Sequence, residues 1–296
     1  MYDNIEFEKR DVLVSKCKWP IPDRSNKNDE HIINCLNYGY GCWQCTTEDN
    51  NCWCYMVRMW NMRSVEIGQV FVKDNVTALI DQIKNGYSLE SNLGMCSSHD
   101  PFHELYLSVT VHILQVLSDY CIDGKLWKDT DPYDFWNGHT LHIVTKRPSR
   151  IGMVLSDMPM IPTAPSDDDW DIEWPRVWSS ICTPDEDQSR RYMRDVDSPR
   201  MISFAMNQLD ETGFDDLGAS FGPCFGGWRD EELRNSYLRS LPPFNMAQFE
   251  TMNHGNQGLD VLDPDEVKDL AHDFKSIQPG CRIYLKDTPF KVGRVI

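Results

Sequence analysis

The sequence predicts an α+β protein, with a strand-rich N-terminal lobe that carries a small zinc-binding turn and a helix-rich C-terminal lobe. Three observations carry this expectation. Short apolar runs with two-residue alternation dominate the first third of the chain. Capped stretches with an apolar stripe at helical spacing dominate after residue 197. Between them lies a proline- and acid-rich stretch that suits neither. The expected organisation is a lobe over 1–155, an extended acidic surface segment over 156–188, and a helix-rich lobe over 189–296. There is no internal repeat or low-complexity tract.

The elements follow in order. "DVLVSKCKWPIP" (11–22) reads as a strand ended by prolines, and "HIINCL" (31–36) as a short apolar strand. The cysteine turn comes next. Residues 55–72 alternate like one or two strands. "NVTALIDQIKNG" (75–86) reads as a helix, with Asn75 as cap and Gly86 as stop. Residues 100–122 carry two signals. Asp100 and Pro101 open a helix and Gly124 stops one, yet Leu105, Leu107, Val109, Val111 and Ile113 alternate like a strand. The length favours a buried helix. "TLHIV" (140–144) and "IGMVL" (151–155) read as paired strands around a turn at Arg147–Arg150. Residues 198–213, 230–241 and 263–274 read as helices. Asp263 and Glu266 stand at capping-box spacing there. "CRIYLKD" closes the chain as a strand.

Length and charge bound the function. With 296 residues the chain can bury a sizeable core. A formal net charge of −17 opposes nucleic-acid binding, which needs a basic face to displace phosphate counterions. The charged start has no apolar signal segment. The most apolar stretch, 105–117, is shorter than the ~20 residues a bilayer span needs. The expected setting is cytosolic and reducing, with no membrane partner. There the eleven cysteines point to metal before disulfides.

Four of those cysteines sit in "GCWQCTTEDNNCWC" (41–54). Cys42 and Cys45 form a CxxC turn that aims two sulfurs at one point. Cys52 and Cys54 share a face if the return segment is extended. A short hairpin would then close all four around one structural zinc, with no open position for water. A competing set, Cys42, Cys45, Cys96 and His99, would join the turn to a helix start, with His103 nearby. Buried free thiols are the plain alternative.

The remaining features carry less. "DDDWDIE" (167–173) lacks the spacing of a calcium loop and reads as a solvated acidic arm, docking through Trp170 and Trp174. His112 reads as a core histidine. "FGPCFGGW" (221–228) reads as a turn, with Cys224 a buried or idle thiol. No catalytic signature surrounds any of the eight histidines, so the chain reads as a non-enzyme.

The cysteine spacing resembles the zinc lobe of reovirus and aquareovirus outer-capsid protector proteins, which use CxxC and then HxC. Cys42–Cys45 and Cys52–Cys54 would take those places, with Cys52 standing for the histidine and a shorter gap. The resemblance covers residues 41–54 alone, and the charge does not support that family's affinity for double-stranded RNA. It implies a capsid outer-shell or clamp subunit in the virion or host cytoplasm, partnered by its own copies or other capsid proteins. A zinc-stabilised cytosolic adaptor is the second reading. A metal-dependent hydrolase using His99, His103 and the acidic loop is the third.

Overall fold

The computed structural model describes residues 14–18, 32–36, 39–40, 42, 44–49, 52–54, 69–70, 93–95, 99–122, 141–155, 176–214, 216–250, 259–286 and 294–295. The sequence expectations for 75–86 and for the acidic arm at 165–175 lie outside these residues.

One sheet organises the molecule. Its strands are β1 (Val14–Lys18), β2 (Ile32–Leu36), β5 (Leu93–Met95), β6 (Leu141–Thr145), β7 (Arg176–Ile181), β8 (Leu217–Phe221), β9 (Met246–Glu250), β10 (Arg282–Lys286) and β11 (Arg294–Val295), side by side in that order. Short strands β3 (Gly39–Tyr40) and β4 (Gln69–Val70) pair separately. Parallel pairings join β2, β5, β6, β7, β8, β9 and β10 in succession. β1 and β11 run antiparallel at the two edges.

The helices lie between these strands in sequence. They are α1 (Leu107–Ile122), α2 (Ser149–Leu155), α3 (Glu186–Tyr192), α4 (Pro199–Glu211), α5 (Glu231–Ser240) and α6 (Pro264–Ile277). The expected α+β division is therefore corrected: this is an α/β protein of repeated strand–helix units. A doubly wound sheet reverses its strand order, whereas this order never reverses, as in a (βα) barrel. The carboxyl ends of the parallel strands thus form one continuous rim.

The difference has a physical source. A parallel strand covered on both faces loses the alternation that marks a half-exposed one. β7 and β8 are buried almost throughout, and β7 lies within 156–188, read as an extended acidic surface segment. The stretch 151–155 is another correction. It belongs to helix α2, where Ile151 is buried and Met153 exposed, so its apolar run is one helical stripe and not a strand. The choice of helix for the ambiguous stretch holds over Leu107–Ile122, although His112 faces outward.

The C-terminal helices form as their caps dictate. Asp185, Ser198, Asp230 and Asp263 each accept a backbone N–H at a helix start. The Asp263–Glu266 capping box is complete. Gly213, at φ 93°, turns the chain after α4 where a β-carbon would be strained. The core lies between sheet and helices. Phe221 stacks on Phe249 at 4.5 Å, and Phe274 of α6 meets both rings edge-on. On the other face, Gly218 lets the Trp178 indole lie against β8, since a β-carbon there would come within 2.5 Å of it. Arg176 and Asp216 pair at 2.5 Å beside the starts of β7 and β8.

Candidate active site

The residues that follow each parallel strand build the rim. β2 leads to the cysteine loop, β5 to Asp100, β6 to Lys146, β7 to Cys182 and β8 to Cys224. In barrels of this winding the chemistry sits at this end.

The cysteine loop is a small hairpin. Thr46 bridges Cys52, and the Trp53 amide donates to the Cys45 carbonyl at 2.9 Å. Its position is set from far along the chain, by residues 191–195 at the end of α3 and just beyond it. Glu48 N donates to Arg191 O and Arg194 N to Gln44 O, both at 3.0 Å. The Gln44 amide side chain reaches Asp195 O at 3.3 Å, and Trp53 Nε1 reaches Tyr192 O at 2.7 Å. Asp195 takes a positive φ of 48°, a backbone shape uncommon outside glycine. Trp53, Phe225, Met193, Leu259, Cys45 and Cys182 then form a second apolar cluster over the rim, with Trp53 edge-on to Phe225 at 5.4 Å.

Inside this cover the thiols differ. Cys42 is buried, and burial first, then Cys45 and Asp100, push its pKa up to about 12. Two backbone amides, of Asp100 and Gln44, hydrogen-bond its sulfur and oppose that rise. Cys45 behaves oppositely. A hydrogen bond from the Cys54 thiol outweighs burial and holds it at about 7, with Lys146 adding to the effect. Burial alone would lower the Lys146 ammonium, but the Cys45, Cys182 and Cys42 sulfurs and Asp100 hold it above the usual lysine range. Burial raises Cys182 to about 12, and its Sγ lies 3.5 Å from Gly222 O. Cys224 is buried and also pushed upward.

Asp100 ties these parts together. Its buried carboxylate accepts from Phe102 N at 2.9 Å, Thr145 Oγ1 at 2.7 Å and Lys146 N at 2.7 Å. Thr145 Oγ1 in turn accepts from Arg147 N at 2.8 Å. The sequence marked Asp100 only as a helix start and passed over Lys146 and Cys182. Position just past the end of a parallel strand would have found all three.

The expected zinc turn is corrected here. The hairpin forms, and Cys45 and Cys54 meet, but among the described residues no three Cys, His, Asp or Glu side chains converge on one ion. Cys96 lies outside the described residues, and the His99 ring packs on Tyr106 with centroids 4.1 Å apart. His103 Nδ1 accepts from Leu105 N at 3.2 Å, so its proton belongs on Nε2, which faces Asp195 Oδ2 at 3.7 Å. It shapes the turn before α1.

No protein-family model matches the chain, and no curated protein matches it. Solved structures do. A radical SAM methyltransferase from Sphaerobacter thermophilus is similar over 87% of this chain and 71% of its own, with a TM-score of 0.51 and 9% identity. Spore photoproduct lyase complexed with dinucleoside spore photoproduct is similar over 92% and 70%, with a TM-score of 0.49 and 15% identity. A double mutant of that lyase, with bound AdoMet and dinucleoside spore photoproduct, gives the same coverage and TM-score. At 9% identity, the methyltransferase likeness establishes the fold.

That fold overturns the capsid resemblance, which rested on residues 41–54 alone. The non-enzymatic shell or clamp subunit, and its place in the virion, fall with it: the same winding over 87% of the chain belongs to an enzyme. Among the described residues no helix is long and apolar enough to cross a membrane.

Proposed function

We propose that this chain is a radical S-adenosylmethionine enzyme whose iron–sulfur cluster is held by thiols of the 42–54 loop. One observation carries the reading: a buried cysteine loop stands at the carboxyl-end rim of a parallel sheet whose fold is that of a radical SAM methyltransferase.

The donor set fits such a group. Iron–sulfur clusters take cysteine thiolates, and a multi-iron cluster spreads its ligands over several metals instead of gathering them on one ion. Cys42, Cys45 and Cys54 are neighbours without sharing one centre, and Cys52 lies on the same hairpin. Cys45 is already poised for deprotonation near neutrality. Among the four, zinc is no longer the metal of choice. When bound, the cluster and S-adenosylmethionine supply one-electron radical chemistry.

The chain's own residues supply the rest. Lys146 places a cation beneath the sulfurs, suited to an anionic cluster or to a carboxylate brought beside it. Trp53, Phe225 and Met193 cover the rim and exclude water, which strengthens these charge interactions and protects a reactive species.

Anaerobic reconstitution with iron and sulfide tests the reading. The expected result is several irons per chain with matching sulfide, and consumption of S-adenosylmethionine by the reduced protein. A chain that takes up a single zinc in preference, or that neither binds nor consumes S-adenosylmethionine, overturns it.

A further inference from the structure

We propose that the face of β7–β9 turned away from the helices binds an uncharged, polyhydroxylated substrate of the sugar class. The proposal rests on the reading that the cysteine loop above this face holds the reactive group.

Alternation along the strands separates the two faces. Ile181, Phe221 and Phe249 pack with Phe274 of α6 in the main core. The residue before each of them on its strand points the other way. That places Ser180, Ser220 and Gln248 on the opposite face, and the register sets them side by side, Ser180 against Ser220 and Ser220 against Gln248. All three are buried. Neighbouring strands lie about 4.8 Å apart, so the row offers hydroxyl, hydroxyl and carboxamide at that pitch. One row below, the fully buried Trp178 indole lies on Gly218, and its Nε1 has no hydrogen-bond partner. One row above, the Glu250 carboxylate accepts from Gln248 Nε2. Its Cβ would stand 2.8 Å from a β-carbon on Gly222. Gly222 O lies 3.5 Å from Cys182 Sγ, and Cys182 shares the second apolar cluster with Cys45 and Trp53. The face therefore runs from Trp178 up to the cover of the cysteine loop.

The chemistry of the row selects its ligand. Serine hydroxyls and a carboxamide both donate and accept, as ligand hydroxyls do, and buried polar groups gain from such a match. Hydroxyls on alternate carbons of a six-membered ring repeat at about the strand pitch. From Trp178 upward, these positions of β7, β8 and β9 carry no cation, and their one charge is Glu250. Arg176, a row further down, is paired with Asp216 at 2.5 Å. A phosphate or carboxylate brought to this row would meet like charge and no counter-charge among these residues.

The probe is glucose, with glucose 6-phosphate as its charged match, read by ligand-observed NMR on the full chain with and without S-adenosylmethionine. Glucose should bind in the millimolar range, and its phosphate at least about tenfold more weakly. Ser220→Ala should weaken glucose about three- to tenfold, the range of one uncharged hydrogen bond, and Gln248→Met by as much or more. Gln208→Met, on the exposed side of α4, should match the wild type. A row with a purely structural role would lower the melting temperature of the first two variants and leave glucose binding unchanged, which overturns the proposal. Equal binding of the two sugars, or binding of neither, does the same. So does displacement of glucose by S-adenosylmethionine, which would give this face to the ribose of that molecule. Glucose binding by a chain that takes up no iron fails the function reading and leaves the sugar face. Uptake of iron and S-adenosylmethionine without glucose binding fails this proposal alone.

Discussion

The cysteine loop and the C-terminal units from β7 to β10 reach order by opposite routes. The C-terminal helices carry their own instructions. Each has a side-chain cap at its start, and an apolar stripe that joins the core. The cysteine loop has almost none. Its hairpin is short, and what holds it are bonds to residues 191–195, with sequence separations of 139 for Trp53–Tyr192 and 151 for Gln44–Asp195. Local rules build the scaffold, while the site is assembled from distant pieces.

Substitutions can break or sharpen this contrast. Phe274→Ala removes a fully buried ring from the α6 face and should cost about 3–5 kcal/mol of global stability, read by denaturant unfolding. A loss below about 1 kcal/mol would mean that the C-terminal packing is not the main support. Trp53→Phe keeps a ring but takes the donor from Tyr192 O, which should cost about 1–3 kcal/mol. That cost should appear as local opening, seen in apo protein as faster alkylation of Cys45 with little change in the unfolding midpoint. An equal drop in global stability would erase the distinction between the two regions.

Asp263→Ala removes the cap of α6, worth about 1 kcal/mol, or roughly 2–4 °C in melting temperature. The smallest expected effect is electrostatic. Burial, outweighing Asp100, lowers the His103 pKa below its ordinary 6.5. The unfolded chain then binds a proton that the folded one resists, so this residue's contribution to stability falls as pH drops below 6.5. His103→Gln should flatten the stability profile in that window. An unchanged slope would assign the acid sensitivity elsewhere.

The same contrast governs what was legible in the sequence. Ser198 and Asp263 announced α4 and α6, because capping needs only neighbours in the chain, and the stripe of Leu233, Tyr237 and Leu241 announced α5. β8, "LGASF", gave no signal: small residues fit a strand packed on both faces, and Gly218 is there for the Trp178 ring. β7 was masked by the acidic residues before it, and its Ser179 and Ser180 broke the apolar run. In the site, the four-cysteine spacing was visible and its surroundings were not. Asp100, Lys146 and Cys182 stand around those thiols. Those positions follow from strand order, which no local pattern encodes.

The unbroken strand order also has a bearing on synthesis. Each parallel strand pairs with the one made just before it, so the sheet can lengthen as the chain emerges. The cysteine loop cannot settle then, because Trp53 waits 139 residues for Tyr192. At about 5–20 residues per second that is a delay of roughly 7–28 s. During it the nascent thiols travel uncovered, open to oxidants and to soluble thiol reagents. Stalled chains with residue 195 still inside the ribosome should react with maleimide at Cys45. Chains with that residue clear of it should be protected, which makes the closing of the 191–195 segment the moment at which the thiols are covered.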